Sequence, residues 1–259
     1  MIIDFTKYQG AGNDFIIIDD RKQLFDVGNN TLVKKICDRR YGIGGDGLIL
    51  LRNHSLDYDF EMVYFNADGF LGSMCGNGGR CIVDFAKRLS LFDNECTFLA
   101  ADGLHIASWE EDSVSLKMSN VSAIESNYEF AFLNSGSPHY ISKVQGLEDF
   151  DVCKNGREIR NSSRFKKIGI NVNFIEFKNE SLSIRTYERG VENETLSCGT
   201  GAVASVLALH NWGQEFKTPL EVIAKGGSLK VDFKYEKGKY FDVRLSGPAK
   251  LVYKGTIQC

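Results

Sequence analysis

Residues 200–212, TGAVASVLALHNW, are apolar on nearly every face of a helix through His210. A helix with no polar face must be buried all round. Most of the chain reads as strands, so the structure enclosing this helix is expected to be a curved sheet. Short runs rich in Ile, Val, Phe and Tyr, separated by Gly, Asn and Asp, predict strands at 2–8, 14–19, 47–52, 58–65, 95–100, 103–109 and 113–118. A second set falls at 129–134, 139–144, 171–178, 181–188, 218–224, 227–234, 239–246 and 249–254.

Helical patterns are few. NTLVKKICDRR, residues 30–40, puts Leu32, Val33, Ile36 and Cys37 on one face, with Asn29 or Asn30 as the cap. GGRCIVDFAKRLSLF, after Cys75, turns Ile82, Val83, Phe85, Ala86 and Leu89 inward and leaves Asp84, Lys87 and Arg88 for water. The apolar helix follows Cys198. Both of the last two begin at Cys-Gly-x-Gly, and the two cysteines lie about half a chain apart. Each copy reads strand, turn, Cys-Gly-x-Gly, helix, more strands. This predicts an α+β fold of two duplicated halves, each a mixed, mainly antiparallel sheet around a central helix. The halves are expected at 1–118, rejoined by 250–259, and at 119–249, with the active site in the cleft between them.

With 259 residues and 43% hydrophobic content, the chain can bury a sizeable core. A net charge of −3 supplies no basic patch, which argues against nucleic acid and anionic membrane as partners. No apolar run reaches the about 20 residues a membrane span needs. The seven cysteines form an odd number in a chain too long to need staples, which predicts a reducing, cytoplasmic setting. No Cys-x-x-Cys occurs and His54, His105, His139 and His210 are scattered, so no metal site is expected.

Cys-Gly-x-Gly ahead of a helix suits one kind of chemistry. The first helical turn offers unpaired N–H groups and a partial positive charge, and glycines let backbone approach an anion. A thiol placed there is acidified. One such cysteine could simply belong to a glycine-rich turn capping a helix. Two, one per half, suggest opposed proton-transfer groups that invert a stereocentre. Cys37, Cys81, Cys96, Cys153 and Cys259 read as small hydrophobes. A phosphate loop is less apt, because the Lys-Ser/Thr ending is absent.

Polar clusters precede both cysteines. In YFNADG, residues 64–69, Asn66 can bind an ammonium. In YERGVENET, residues 187–195, Glu188 can do the same and Arg189 can grip a carboxylate through a bidentate fork. Solvated turns would look alike. Of the glycine-rich stretches KYQGAGNDF and RRYGIGGDG, both readable as turns, only Asn13 is chosen as functional on physical grounds.

Taken in order, KYQGAGNDF, YGIGGDGLI, FNADG, MCGNGGRC, SGSPHY, NVNFIE, YERGVENETLSCGTGA and GPAKLVYKG resemble the diaminopimelate epimerases over essentially the whole chain. The resemblance implies a cofactor-independent isomerase that interconverts LL- and meso-diaminopimelate, a precursor of lysine and of peptidoglycan cross-links. It implies that Cys75 and Cys198 are the two bases and that Asn13, Asn66 and Asn171 bind substrate. Glu188 and Arg189 would hold the distal end, and the turns Gly76-Asn77 and Gly199-Thr200 would cradle the reacting carboxylate. The family often has Asn-Pro-His where this chain has Ser137-Pro138-His139, so Ser137 and His139 are candidates whose role that departure leaves open. A proline-type racemase is the alternative enzyme, although such relatives tend to carry His where Asn77 stands. A binding protein of the same fold is the alternative of another class. A homodimer is compatible with the sequence.

Overall fold

The computed structural model describes residues 2–53, 58–110 and 113–259; His54 lies outside them. The chain divides into two compact units, Met1–Leu116 with Gly247–Cys259, and Lys117–Ser246. In the first unit, β1 (Ile2–Gly10) and β2 (Asn13–Asp19) form a hairpin. Then come α1 (Asn30–Cys37), β3 (Gly47–Arg52), β4 (Phe60–Asn66), α2 (Gly76–Arg88), β5 (Glu95–Ala100), β6 (Gly103–Glu110) and β7 (Ser113–Lys117). Pairing along the sheet alternates: β1–β2 antiparallel, β2–β3 parallel, β3–β4 antiparallel, β4–β5 parallel, then β5–β6 and β6–β7 antiparallel. The chain's last strand, Lys250–Gln258, returns antiparallel to β1.

The second unit repeats this plan. A short β8 (Glu125–Ser126) precedes β9 (Phe130–Asn134), β10 (Pro138–Lys143), α3 (Val152–Arg160), β11 (Asn171–Lys178) and β12 (Ser181–Glu188). After β13 (Asn193–Thr195) come α4 (Gly199–Asn211), β14 (Leu220–Ala224), β15 (Gly227–Glu236) and β16 (Lys239–Pro248). The pairings β9–β10, β10–β11, β11–β12, β12–β14 and β14–β15 reproduce the alternation of the first unit, and β15–β16 closes it. Thus α1 matches α3, α2 matches α4, and the two cysteines occupy equivalent places.

Each sheet is covered on both faces, which is why its central strands read as apolar runs rather than alternations. In the first unit, Ile16, Ile18, Leu48 and Leu50 pack with Val33, Ile36 and Cys37 of α1. The other face meets α2, where Gly78 lies so close that an added Cβ would touch Ile49, Met62 and Phe15. In the second unit, α4 is buried from Gly201 to Leu209, as its composition requires.

Two features depart from the expectations. Asp84 is buried at 1% exposure rather than turned to water. Its carboxylate accepts from Tyr8 Oη (2.8 Å), Arg88 Nε (2.6 Å) and Trp109 Nε1 (2.9 Å), so protein donors replace its hydration. Helix α3 was not expected, because VCKNGREIR carries too few apolar residues to show a stripe. Asp151 caps it, accepting from Lys154 N, and it rests on Tyr187 through Gly156, where a side chain would clash.

Candidate functional site

Cys75 and Cys198 are the N-cap residues of α2 and α4, both in extended conformation (φ −106°, ψ 120° and φ −124°, ψ 109°). Their carbonyls accept the first helical bonds, from Gly79 N at 2.7 Å and Ala202 N at 2.9 Å. Neither thiol caps its own helix. The first-turn N–H groups of Gly76-Asn77 and Gly199-Thr200 therefore remain directed out of the helix ends. Cys37 and Cys96 are different: burial pushes their thiols up to about 11 and about 12. Burial also raises the Cys81 thiol strongly, so these three are apolar filling at neutral pH.

In the first unit, a hairpin turn of two residues, Ala11 (φ 50°) and Gly12 (φ 93°), places Asn13 at the start of β2. Gly10 allows close approach of α2, since a Cβ there would lie 3.0 Å from Cys81 Sγ and 3.1 Å from the Asn77 carbonyl. Asn77 Nδ2 donates to Asn13 Oδ1 at 2.6 Å, and Asn13 Nδ2 donates to Asp46 Oδ2 at 2.9 Å. Asn77 Oδ1 in turn accepts from Arg80 Nη2 at 2.8 Å. Asp46 and Asp14 are braced by Arg39, and Lys7 pairs with Asp14 at 2.8 Å. Burial would raise Asp14, but hydrogen bonds from Arg39 and Lys7 outweigh it and hold the carboxyl at about 2. Asn66 is exposed at the end of β4, opposite Gly47.

In the second unit, three groups of contacts converge on the start of β11 and the end of β12. Asn171 Nδ2 donates to Ser137 Oγ (3.0 Å), and its Oδ1 accepts from the Arg189 backbone N–H (2.8 Å). Arg189 Nη2 reaches Ser137 Oγ at 3.4 Å, and the guanidinium end is exposed. Glu188 Oε2 accepts from Thr195 Oγ1 at 2.9 Å; burial raises its pKa, and that hydrogen bond opposes the shift.

The third group runs to Cys198. Asn173 Nδ2 donates to the Tyr140 carbonyl (3.1 Å), and Asn173 Oδ1 accepts from Thr186 Oγ1 (2.9 Å). A carbonyl can only accept, so the orientation of the Asn173 amide is set. The same Nδ2 lies 3.0 Å from His139 Nδ1, which must then be an acceptor. The imidazole therefore carries its proton on Nε2 and donates it to Thr200 Oγ1 at 2.9 Å. The same Thr200 Oγ1 lies 3.6 Å from Cys198 Sγ, a pair in which either the hydroxyl or the thiol can donate. His139 is fully buried, and burial drives its pKa down to about 3, so it is neutral at working pH. Gly201 permits the helix to approach, since a Cβ there would lie 2.5 Å from Asn173 Oδ1.

The structure thus gathers Asn13, Gly76 and Asn77 around Cys75, and His139 and Thr200 around Cys198, with Ser137, Asn171 and Arg189 in one further cluster. Sequence reasoning missed Asp46, Arg80, Asn173, Thr186 and Thr195. Asn173 and Thr186 could have been found as short polar residues inside otherwise apolar strands, whereas Asp46, Arg80 and Thr195 carried no such signal. Among the described residues, no three His, Cys, Asp or Glu side chains form a group able to hold a metal ion, and no helix is long and apolar enough to cross a membrane.

Comparison with known proteins adds a second line. The family model described as diaminopimelate epimerase matches residues 5–124 and 131–252. A diaminopimelate epimerase from Flavobacterium psychrophilum is 48% identical over 97% of this chain and 98% of its own. One from Chlorobaculum tepidum is 43% identical over 96% and 98%. Among solved structures, a PhzF-family phenazine biosynthesis protein from Bacillus anthracis superposes with TM-score 0.76 at 14% identity, covering 100% of both chains. A probable proline racemase from Agrobacterium radiobacter gives 0.68 at 13% identity, covering 99% of this chain and 92% of the other. At these identities the structures speak for the α+β epimerase fold alone.

Proposed function

Because the chain belongs to the diaminopimelate epimerase family, we propose that it interconverts LL- and meso-diaminopimelate with Cys75 and Cys198 as its two bases. One thiolate takes the α-hydrogen as a proton, so a C–H bond breaks and an S–H bond forms. The other thiol gives its proton to the opposite face, so its S–H bond breaks and a new C–H bond forms. No electrons are transferred, and no cofactor or metal takes part in this scheme. The carbanion is the difficult species. First-turn N–H groups at Gly76-Asn77 and Gly199-Thr200 lower its energy by holding the reacting carboxylate where charge develops. Asn13, Asn66 and Asn171 position the substrate. Arg189 and Glu188 hold the distal carboxylate and ammonium. A reducing cytoplasm suits the thiols, and the product would feed lysine and peptidoglycan synthesis.

The observation that carries this reading is the matched pair of N-cap cysteines, each at the head of a buried helix and neither spent on capping it. A binding protein would have no use for a second thiol held beside the His139-anchored Thr200 hydroxyl. A proline-type racemase would have no use for Arg189 and Glu188 at a second amino-acid head. The test is turnover of LL-diaminopimelate in D₂O, with proline run alongside. Inversion of diaminopimelate with deuterium at the α-carbon is expected. Inversion without solvent deuterium, or turnover of proline alone, would overturn the proposal.

A further inference from the structure

Arg80 is the largest fully buried side chain in the molecule's described core, with 0% exposure. Its acceptors are all neutral: Asn77 Oδ1 at 2.8 Å, the Gly76 carbonyl at 3.4 Å and the Pro248 carbonyl at 3.5 Å. None of the ion pairs among the described residues includes it. A guanidinium cannot escape by losing its proton. Burying one without an anion is costly, so its position calls for a negative partner.

The charged groups around it cancel among themselves. Lys7 and Arg39 balance Asp14 and Asp46. Arg88 balances Asp84. The Arg80 charge reaches Asp46 only through the amides of Asn77 and Asn13, and Asp46 is already bonded to Arg39. One positive charge is left over near the N-terminal end of α2. Two thiols, Cys75 and Cys81, lie within its electrostatic reach. Cys81 is wholly buried and is held as the neutral thiol. Cys75, half-buried at the head of the same helix, is not shut away from solvent in this way.

We propose that Arg80 is the positioning residue for Cys75: its buried guanidinium is the counter-charge that stabilises the Cys75 thiolate, while its bond to Asn77 fixes the turn that presents the thiol. The use of that thiolate in epimerisation rests on the function proposed above. Its acidity does not, and can be measured without turnover. Arg80 therefore acts through Cys75 rather than on the substrate.

The test follows iodoacetamide alkylation of Cys75 against pH, read by peptide mass, in full-length Cys198→Ser protein. The midpoint is expected clearly below the ordinary thiol value of about 8.5. Arg80→Gln should raise it by about one pH unit, slowing alkylation at pH 7 roughly tenfold. Arg80→Lys keeps the charge but not the fork, so it should hold the midpoint near the parent value while lowering kcat in the Cys198-containing enzyme. A parent midpoint at or above about 8.5 would overturn the proposal whether or not the variants fold. So would a folded Arg80→Gln protein with an unmoved midpoint, or a folded Arg80→Lys protein whose midpoint rises as far as that of Gln. If neither variant folds, the parent midpoint decides. Loss of diaminopimelate turnover with a low, Arg80-dependent midpoint would reject the proposed activity and leave this inference standing.

Discussion

His139 Nε2 lies 2.9 Å from Thr200 Oγ1, and because Asn173 occupies the other ring nitrogen, the imidazole can only donate to that hydroxyl. A buried, neutral histidine thereby holds in place the hydroxyl that lies 3.6 Å from Cys198 Sγ. Thr200→Val removes the hydroxyl at similar volume and is expected to lower kcat roughly tenfold, the loss of about one hydrogen bond. Thr200→Ser should retain most activity. Steady-state kinetics of the two variants check this, and equal loss in both would assign the effect to packing.

The same burial makes His139 an acid-sensitive element. Its folded pKa of about 3 lies below the ordinary 6.5. Between those values the unfolded chain binds a proton that the folded chain does not. Stability is therefore full above about pH 6.5 and falls as pH drops toward 3, by at most about 1.4 kcal/mol per pH unit. Urea unfolding from pH 7 to 4.5 should show a shallower slope in His139→Gln than in the parent. Asp14 acts in a lower window, losing its contribution as pH falls from about 4 toward 2.

Each cysteine should be separately indispensable. Cys75→Ser and Cys198→Ser are each expected to cut kcat by about 10²–10⁴-fold, the range for loss of a positioned acid or base. Near-normal epimerisation by either variant would remove that residue from the pair. Cys96→Ala, by contrast, should act on stability and leave kcat alone.

Arg189 is expected to show itself in KM. Arg189→Ala should raise KM roughly tenfold to a hundredfold, as a lost charged hydrogen bond worth about 1.5–3 kcal/mol would do. An amino acid lacking the distal head should be turned over equally slowly by parent and variant. A KM effect shared by both substrates would contradict the distal role.

Gly201→Ala sets two effects against each other. Alanine improves helix propensity by about 1 kcal/mol. Its Cβ, however, would meet Asn173 Oδ1 at 2.5 Å, and that amide cannot swing away without breaking its bonds to Thr186, Tyr140 and His139. Overpacking at about 1–3 kcal/mol should win. Thermal unfolding is expected to shift downward with a loss of kcat; a stabilised, active variant would show that Asn173 is not rigidly held.

The apolar run Gly201–Leu209 required a helix enclosed on every side, and the paired Cys-Gly-x-Gly stretches required two helix heads of one kind. These are local statements: composition sets what a helix must bury, and glycine sets what backbone can approach. The ordered motifs carried the family. What sequence could not show were contacts between segments far apart in the chain. Asp84 looked like a solvent residue because two of its donors, Tyr8 and Trp109, come from strands β1 and β6, far from the helix in sequence. Nothing in the sequence pattern marked Arg80 as a core residue; folding carries it into the core against Asn77 and Pro248. The proton position on His139 follows from Asn173 and Thr186, which enter only when β10, β11 and β12 pair. Hydrophobic periodicity reports which residues leave water. Which donor meets which acceptor once water is gone is decided by strand register and helix approach, and those exist only in the folded chain.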